Sequence, residues 1–419
     1  MHAGLPRMTS NGVANTRGMP AFHLPSRRPH ILILSASVGT GHLRAAEAVA
    51  LALRRLAPQA VVKNVDVLSL AIRPFRYCYG QIYVDLIDRA PQVLGFFYNL
   101  MDRFRPPAEQ SHRWDHVRVG LEKMSLRPFL HLLRHHPWDL IINTHFLPGE
   151  IIASLHEQEH FEVPQLMVIT DFEAHRLWVP QPCAHYFVAT EETARYLQCY
   201  EVPGEDISVT GIPIHPVFAE SKSQELCRIR HGLALDRPVI LQLAGGYGVG
   251  PIEELYRALL AVEVPIELVV VTGHNAMARQ HLEGLAVPPK HRTKLLGYTR
   301  DMDELMAAAN LVVTKPGGLT TSEALARGRP LVIVYPVPGQ EDRNSDYLLE
   351  NGAAIKINHM PTLSFKVTSL LRDKERLALL QANARRLGRP HAAFDVAEQA
   401  LALLAPTVNR TQPNGQRTV

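Results

Sequence analysis

Short, continuous apolar runs are the feature that most constrains the fold of this 419-residue chain. In the first half they cover residues 31–34, 140–142, 166–169, 186–188 and 207–209, and residues 61–67 form a further strand candidate. A strand with one face in water alternates apolar and polar residues, whereas a parallel strand covered on both faces is apolar throughout. These runs therefore predict a parallel sheet with helices on both faces.

The same pattern restarts in the second half of the chain. Residues 238–243 lead into a glycine-rich turn, and a helix is expected from about Pro251. Further runs follow at residues 268–271, 294–296, 311–313, 331–334 and 354–355. The proline-rich residues 211–216 mark the boundary. We therefore predict two doubly wound α/β domains, residues 29–212 and 217–404, with a ligand in the cleft between them.

The composition excludes several classes of protein. Hydrophobic residues make up 46% and charged residues 20%, which is typical of a globular protein. The four cysteines form no C-x-x-C pair, which argues against a disulfide scaffold or zinc ribbon and favours a reducing compartment. No apolar run approaches a membrane span, and residues 1–28 lack the core of a signal peptide. Residues 1–28 and 405–419 are expected to be disordered tails.

The net charge of +4 is unevenly distributed. Residues 1–30 and residues 72–136 each carry a net +4, residues 405–419 carry +2, and the remainder is acidic. Residues 72–136 are also rich in aromatic side chains, which is typical of a surface that dips into an anionic bilayer. Its apolar residues recur at helical spacing, and a helical insertion packed as core would show the same spacing. Nucleic acid is not expected as a partner, because the charge excess is small and no binding signature accompanies it.

The first glycine loop, residues 35–42, follows the first apolar run and precedes a helix. Gly39 and Gly41 would let a ligand approach the backbone at the helix N-terminus. A dinucleotide fingerprint is disfavoured, because Arg44 stands where its third glycine would be. The alternative is a plain strand–helix turn. His42 argues for function, since the positive helix end keeps its ring neutral and able to accept a proton.

The densest motif is residues 314–325, where a run ends in Pro-Gly-Gly and a helix is predicted from about Leu319. The groups expected to cradle a diphosphate are the amides of Gly317, Gly318 and Leu319 and the hydroxyl of Thr320. Glu323, one turn later, could accept both hydroxyls of a ribose. The alternative is that Thr320 and Glu323 form a capping box, which needs no ligand.

Two further loops place polar groups after buried runs. Gln340 and Glu341 could read sugar hydroxyls through paired hydrogen bonds, or belong to a plain polar loop. Asp171 and His175 could face the cleft together on a helical turn, or Asp171 could simply cap it. With Glu173 they make a poor ligand set beside known zinc patterns, so no metal site is predicted.

These motifs together resemble the monogalactosyldiacylglycerol synthases and the bacterial diacylglycerol β-glucosyltransferases, which are relatives of the MurG family. The stretches that carry the resemblance are residues 31–46, 141–144, 170–172, 209–213, 296–298 and 314–344. The resemblance implies a GT-B fold, with two facing Rossmann-like domains, a UDP-sugar in the C-terminal domain and a lipid acceptor at the N-terminal one. It also implies inversion at the anomeric carbon, with no catalytic metal and no tightly bound cofactor.

Carried over residue by residue, the resemblance assigns roles to the motifs. It implies catalysis by His42, for which Asp171 is a candidate assistant. The implied UDP-sugar ligands are Gly246, Gly273, Tyr298 (whose loop would receive uracil through its backbone), Gly317, Gly318, Leu319, Thr320, Glu323, Gln340 and Glu341. The expected acceptor-side residues are Gly39, Gly41, His175 and Trp178.

We therefore expect a hexosyltransferase that moves glucose or galactose from a UDP-sugar to diacylglycerol. It would lie in the cytoplasm, peripherally on the inner face of an anionic membrane. The glycine turn at residues 315–320 looks more like that of the glucosyltransferases and favours glucose. The alternatives are a soluble enzyme of the same fold with a peptidoglycan precursor or small-molecule acceptor, and a nucleotide-sugar sensor without turnover.

Overall fold

The computed structural model describes residues 28–77, 120, 122–244 and 250–404. The N-terminal tail up to residue 27, the tail 405–419, most of the insertion 72–136 and Gly246 lie outside the described residues. Within the described part of the chain, no helix is long and apolar enough to cross a membrane.

The first domain is a six-stranded parallel sheet in the order β2-β1-β3-β4-β5-β6. Its strands are β1 (His30–Ser35), β2 (Val61–Asp66), β3 (Leu140–Asn143), β4 (Gln165–Val168), β5 (His185–Val188) and β6 (Ile207–Val209). The helices of this domain whose bounds are described are α1 (Thr40–Leu56), α2 (Arg127–His135), α3 (Phe146–Glu159) and α4 (Glu191–Gln198). Every residue of β3, β4 and β5 is buried, as continuous apolar strands under two helical layers require.

The second domain is also a six-stranded parallel sheet, in the order β12-β11-β10-β7-β8-β9. Its strands are β7 (Val239–Leu243), β8 (Glu267–Val271), β9 (Arg292–Leu296), β10 (Leu311–Thr314), β11 (Leu331–Ile333) and β12 (Ala354–Lys356). Its helices are α5 (Gln224–Arg230), α6 (Ile252–Leu260), α7 (Ala276–Glu283), α8 (Met302–Ala308), α9 (Gly318–Ala326), α10 (Gln340–Glu350), α11 (Leu363–Arg372) and α12 (Lys374–Leu387). The predicted pair of doubly wound parallel domains is confirmed.

Short 3₁₀ helices connect several elements, and they cover Val67–Leu70, Arg176–Trp178, Gly204–Asp206, Pro216–Ala219 and Met360–Thr362. In each sheet the strand order reverses at one point, between β1 and β3 in the first and between β7 and β10 in the second. Ligands of such sheets bind at the carboxyl ends of the strands beside this reversal. The predicted glycine motifs, residues 35–42 and 314–325, start at these two places.

The last helix, α13 (Ala392–Leu404), corrects the predicted domain boundary. Residues 217–404 were assigned to the second domain, but α13 packs on α1 of the first. Its buried face is small and apolar and joins the core beneath β1, and it consists of Ala393, Val396, Ala397, Ala400 and Leu401. The chain therefore crosses between the domains twice, first near Gly211, where the stem of Arg389 packs, and again at Arg389 itself.

Candidate functional site

The two domains meet at the carboxyl ends of their central strands. Gly41 at the start of α1 faces Leu319 at the start of α9, and a Cβ on Gly41 would lie 3.5 Å from the Leu319 methyl carbon. A Cβ on Gly318 would overlap the carbonyl oxygen of Thr170, which follows β4. The predicted acceptor and donor motifs therefore lie against each other across one cleft.

His42 lies in the first turn of α1, which begins at Thr40 without a side-chain cap. Its Nδ1 lies 3.1 Å from the carbonyl oxygen of Thr144, after β3, and 2.8 Å from the hydroxyl of Thr170. A carbonyl oxygen only accepts, so Nδ1 carries the proton and Nε2 keeps its lone pair. Burial lowers the pKa of His42 to about 4, against a smaller opposing effect of the Thr144 carbonyl. At neutral pH the ring is an uncharged proton acceptor.

An aromatic wall surrounds this imidazole. The rings of His145 and Trp178 lie 4.7 Å and 5.9 Å from the His42 ring, centroid to centroid. Phe146 contacts both Trp178 and His175 edge-on. Trp178 and His175 were predicted for the acceptor side, and the structure brings them into this wall.

Two residues of this wall, His145 and Phe146, were not predicted from the sequence. They follow β3 and open α3, where the Nδ1 of His145 accepts the Leu147 amide at 3.1 Å and caps the helix. Burial is the largest cause that lowers the pKa of His145 well below its ordinary value, so the His145 ring is uncharged at neutral pH. The signal available in the sequence was a His-Phe pair directly after a buried strand, the same position as the other site residues.

Asp171 contacts the donor domain. Its carboxylate accepts hydrogen bonds from the side-chain amides of Gln340 and Asn344, the latter at 3.4 Å. Burial raises the pKa of Asp171 to about 7, and the two amides oppose that rise. Thr170, its neighbour, is the residue of this loop that holds the His42 ring. The loop therefore joins the two sides of the cleft.

Asn344 is a third site residue that was not predicted from the sequence. Its side-chain oxygen accepts the Phe172 amide at 3.0 Å, and its amide donates to the Pro316 carbonyl oxygen, also at 3.0 Å. The Phe172 ring stacks on Tyr347 at 4.7 Å. Only the spatial fold brings these parts together, because Asp171 and Asn344 are 173 residues apart.

Helix α9 starts one residue earlier than expected. It begins at Gly318, with Gly317 as its N-cap and no side-chain cap, so Thr320 lies inside the helix. The capping-box alternative for Thr320 and Glu323 is therefore wrong. The first-turn amides of a helix have no partner within it and carry a partial positive charge, which suits an anion.

Glu323 is buried, with 3% of its surface exposed. Its Oε1 accepts from the Nη2 of Arg44 on α1 at 3.0 Å, across the cleft. Burial raises the pKa of Glu323, and the charge of Arg44 opposes this rise. Arg44, which stands where a dinucleotide fingerprint would have its third glycine, is the partner of the predicted ribose ligand.

Gln340 and Glu341 open helix α10, after Gly339, whose φ of +99° suits only glycine. Glu341 accepts the Val337 amide at 2.8 Å, and burial raises the pKa of its carboxyl while Lys315 opposes the rise. A Cβ on Gly317 would lie 3.7 Å from the Glu341 Oε1. The predicted hexose ligands thus lie beside the predicted diphosphate turn.

Tyr298 lies just beyond the end of β9 and is 59% exposed. Its ring stacks on His274 at 4.7 Å with an interplanar angle of 15°. Gly273, between β8 and His274, has a φ of +61° that turns the chain there. Tyr298 and His274 together form a flat aromatic platform suited to a planar base. Among the described residues, no group of three His, Cys, Asp or Glu side chains could hold a metal ion.

Solved structures with this architecture include MurG of Acinetobacter baumannii, with a TM-score of 0.58 and 19% identity over 89% of this chain and 99% of that one. Another is Anabaena HepE in complex with UDP-glucose, with a TM-score of 0.52 and 16% identity over 90% and 99%. At such identities the likeness shows the fold alone. The fold and its cleft define a GT-B protein.

Family models and sequence relatives narrow this class. Residues 42–214 match the monogalactosyldiacylglycerol (MGDG) synthase model, and residues 252–398 match the glycosyltransferase family 28 C-terminal domain. The chain is 30% identical to the processive diacylglycerol beta-glucosyltransferase of Bacillus cereus over 396 residues, 93% of this chain and 96% of that one. It is 31% identical to the same-named enzyme of Bacillus pumilus over 370 residues, 88% and 93% of the two chains. The chain belongs to this family of glycosyltransferases.

Proposed function

We propose that the protein transfers a hexose from a UDP-sugar to the free hydroxyl of diacylglycerol, with inversion at the anomeric carbon. The names of its Bacillus relatives support the acceptor, and the neighbours solved with UDP-sugars support the donor. Glucose is the proposed hexose, since both relatives are named as glucosyltransferases.

One observation carries the mechanism: His42 and the first turn of α9 lie on opposite walls of one cleft, joined by the contact of Thr170 with Gly318. In the proposed step, Nε2 of His42 takes the proton from the acceptor hydroxyl. The hydroxyl oxygen attacks the anomeric carbon as the bond from that carbon to the diphosphate oxygen breaks. The amides of Gly318 and Leu319 stabilise the charge that develops on the leaving UDP.

The proposed donor ligands are assigned to the successive groups of the UDP-sugar. We assign uracil to the Tyr298 platform, ribose to Glu323, diphosphate to the α9 turn, and hexose to Gln340 and Glu341. The Asp171 carboxylate, held by Gln340, links the hexose ligands to the loop that positions His42. The sequence resemblance also supports Gly246 as a proposed contact of the donor.

The acceptor lies in a bilayer, so we propose peripheral attachment to an anionic inner membrane surface. The basic, aromatic residues 72–136 and the basic tail support this proposal through their charge. Binding to phosphatidylglycerol vesicles should weaken between 50 and 500 mM salt, while vesicles of phosphatidylcholine alone should bind poorly at both. Equal binding to the two vesicle types would refute the electrostatic attachment.

The test of the activity is UDP release by the full chain with diacylglycerol in mixed vesicles. UDP-glucose and UDP-galactose are supplied side by side, and the lipid product is identified by mass spectrometry. We expect a β-glucosyl lipid, formed faster than the galactosyl one. Release of UDP at the same rate without diacylglycerol would refute the acceptor assignment.

A further inference from the structure

An ion pair between the domains occupies the proposed ribose site. Arg44 lies two residues beyond His42 on α1, and its guanidinium meets the Glu323 carboxylate of α9 at 3.0 Å. The two partners differ in exposure, because 45% of the Arg44 side chain is exposed but only 4% of that of Glu323. The guanidinium is therefore the partner that can move, and the carboxylate is held in place.

This pair competes with the proposed donor. A ribose offers two adjacent hydroxyls, which bind best to both oxygens of one carboxylate, and Arg44 already takes one of these oxygens. A ribose bound to both oxygens of Glu323 therefore shares one of them with Arg44, which weakens the ion pair. Because 45% of the Arg44 side chain is exposed, its guanidinium is then able to turn to another anion in the cleft.

The nearest place for such an anion is the start of the same helix. Gly318 precedes Glu323 by five residues, which is about 7.5 Å along a helix axis. The start of α1, where Arg44 resides, already lies against this turn through the contact of Gly41 with Leu319. A helix N-terminus supplies only about half a positive charge, so a diphosphate bound there stays strongly negative without a cation.

We propose that Arg44 is a diphosphate ligand that exchanges partners when the donor binds. Its guanidinium leaves Glu323 to the ribose and forms a bidentate contact with the diphosphate oxygens. Because Arg44 belongs to the acceptor domain, this contact holds the two domains together over the bound donor and neutralises the leaving group. This inference rests on the proposed function, since it takes UDP-sugar as the ligand.

The test compares uridine, UMP and UDP by titration calorimetry with wild type, Arg44→Ala and Arg44→Lys. Arg54→Ala is the matched control, because Arg54 lies on the same helix and, among the described residues, its guanidinium donates a hydrogen bond only to the Val62 carbonyl oxygen. We expect Arg44→Ala to weaken the binding of UDP at least tenfold, which is the effect of losing one charge-assisted contact. Uridine affinity should stay level or rise, since Glu323 is released.

The decisive quantity is the ratio of the uridine and UDP dissociation constants. It should fall at least tenfold in Arg44→Ala, fall less in Arg44→Lys, and keep its wild-type value in Arg54→Ala. An unchanged ratio in folded Arg44→Ala would overturn the proposal. Should Arg44→Ala melt early, Glu323→Gln provides the second test. This variant should bind uridine more weakly but keep the wild-type ratio, and a tenfold fall of the ratio in Glu323→Gln would also overturn the proposal. Failure of wild type to bind UDP at all would instead refute the proposed function.

Discussion

Gly318 provides the sharpest perturbation of the cleft. It opens α9, and a methyl group there would overlap the carbonyl oxygen of Thr170 and come within 3.2 Å of an Ile212 methyl carbon. The Thr170 oxygen is backbone, so it cannot turn away as a side chain does. In Gly318→Ala the two domains must therefore separate locally by about 1 Å to restore van der Waals distance.

That displacement acts on His42. The hydroxyl of Thr170 lies 2.8 Å from the His42 Nδ1. Thr170 and His42 both lie in the first domain, so the separation carries them together about 1 Å away from the first turn of α9. A misplacement of this size in a catalytic group costs roughly 10²-fold in rate. We expect kcat to fall by about that factor, with the melting temperature changed little because the overlap is relieved at a domain interface.

The assay measures glucosyl transfer to diacylglycerol vesicles under saturating donor. Gly284→Ala is the matched control, because its added Cβ makes only an ordinary contact of 3.5 Å with a carbonyl oxygen, at the end of α7 and outside the site. Wild-type kcat in Gly318→Ala would show that this interdomain contact is absent from the active state, and the mechanism above would fail.

Since burial raises the pKa of Asp171 to about 7, the KM for UDP-hexose should change between pH 6 and 8 as the carboxylate ionises. Asp171→Asn should abolish that change, and a change that persists in this variant would belong to another group. Tyr298→Ala should weaken the binding of uridine about tenfold and Tyr298→Phe should not, because the aromatic platform acts by stacking. Equal losses of affinity in the two variants, measured by calorimetry, would contradict this. Leu401→Ala should lower the free energy of unfolding by about 2–5 kcal/mol, whereas exposed Leu403→Ala should change it little; equal effects in thermal denaturation would refute the packing of α13 on the first domain.

The strands and both glycine motifs could be predicted because their signals are local. A buried parallel strand must be apolar along its length, and a glycine turn after it marks the ligand edge. The position of α13 could not be predicted in this way. Its apolar face is equally suited to either domain, and only the spatial return of the chain after Arg389 places it on α1.

The site residues divide along the same line. His42 and Glu323 stand out because each follows a glycine turn at a helix start. Asn344 and Arg44 act through partners 172 and 279 residues away, and no local pattern encodes such contacts. The apparent capping box at Thr320 shows the converse, because a local pattern matched while α9 began two residues before it.

In the proposed mechanism neutral His42 takes the proton of the acceptor hydroxyl, and single-turnover transfer by His42→Ala measures this role directly. With enzyme in excess over UDP-glucose, the rate of glucosyl transfer to diacylglycerol should fall by about 10²–10⁴-fold, the usual contribution of a general base. UDP affinity should stay within about twofold of wild type, because His42 lies on the acceptor side. Transfer within tenfold of wild type in the folded variant would contradict the account.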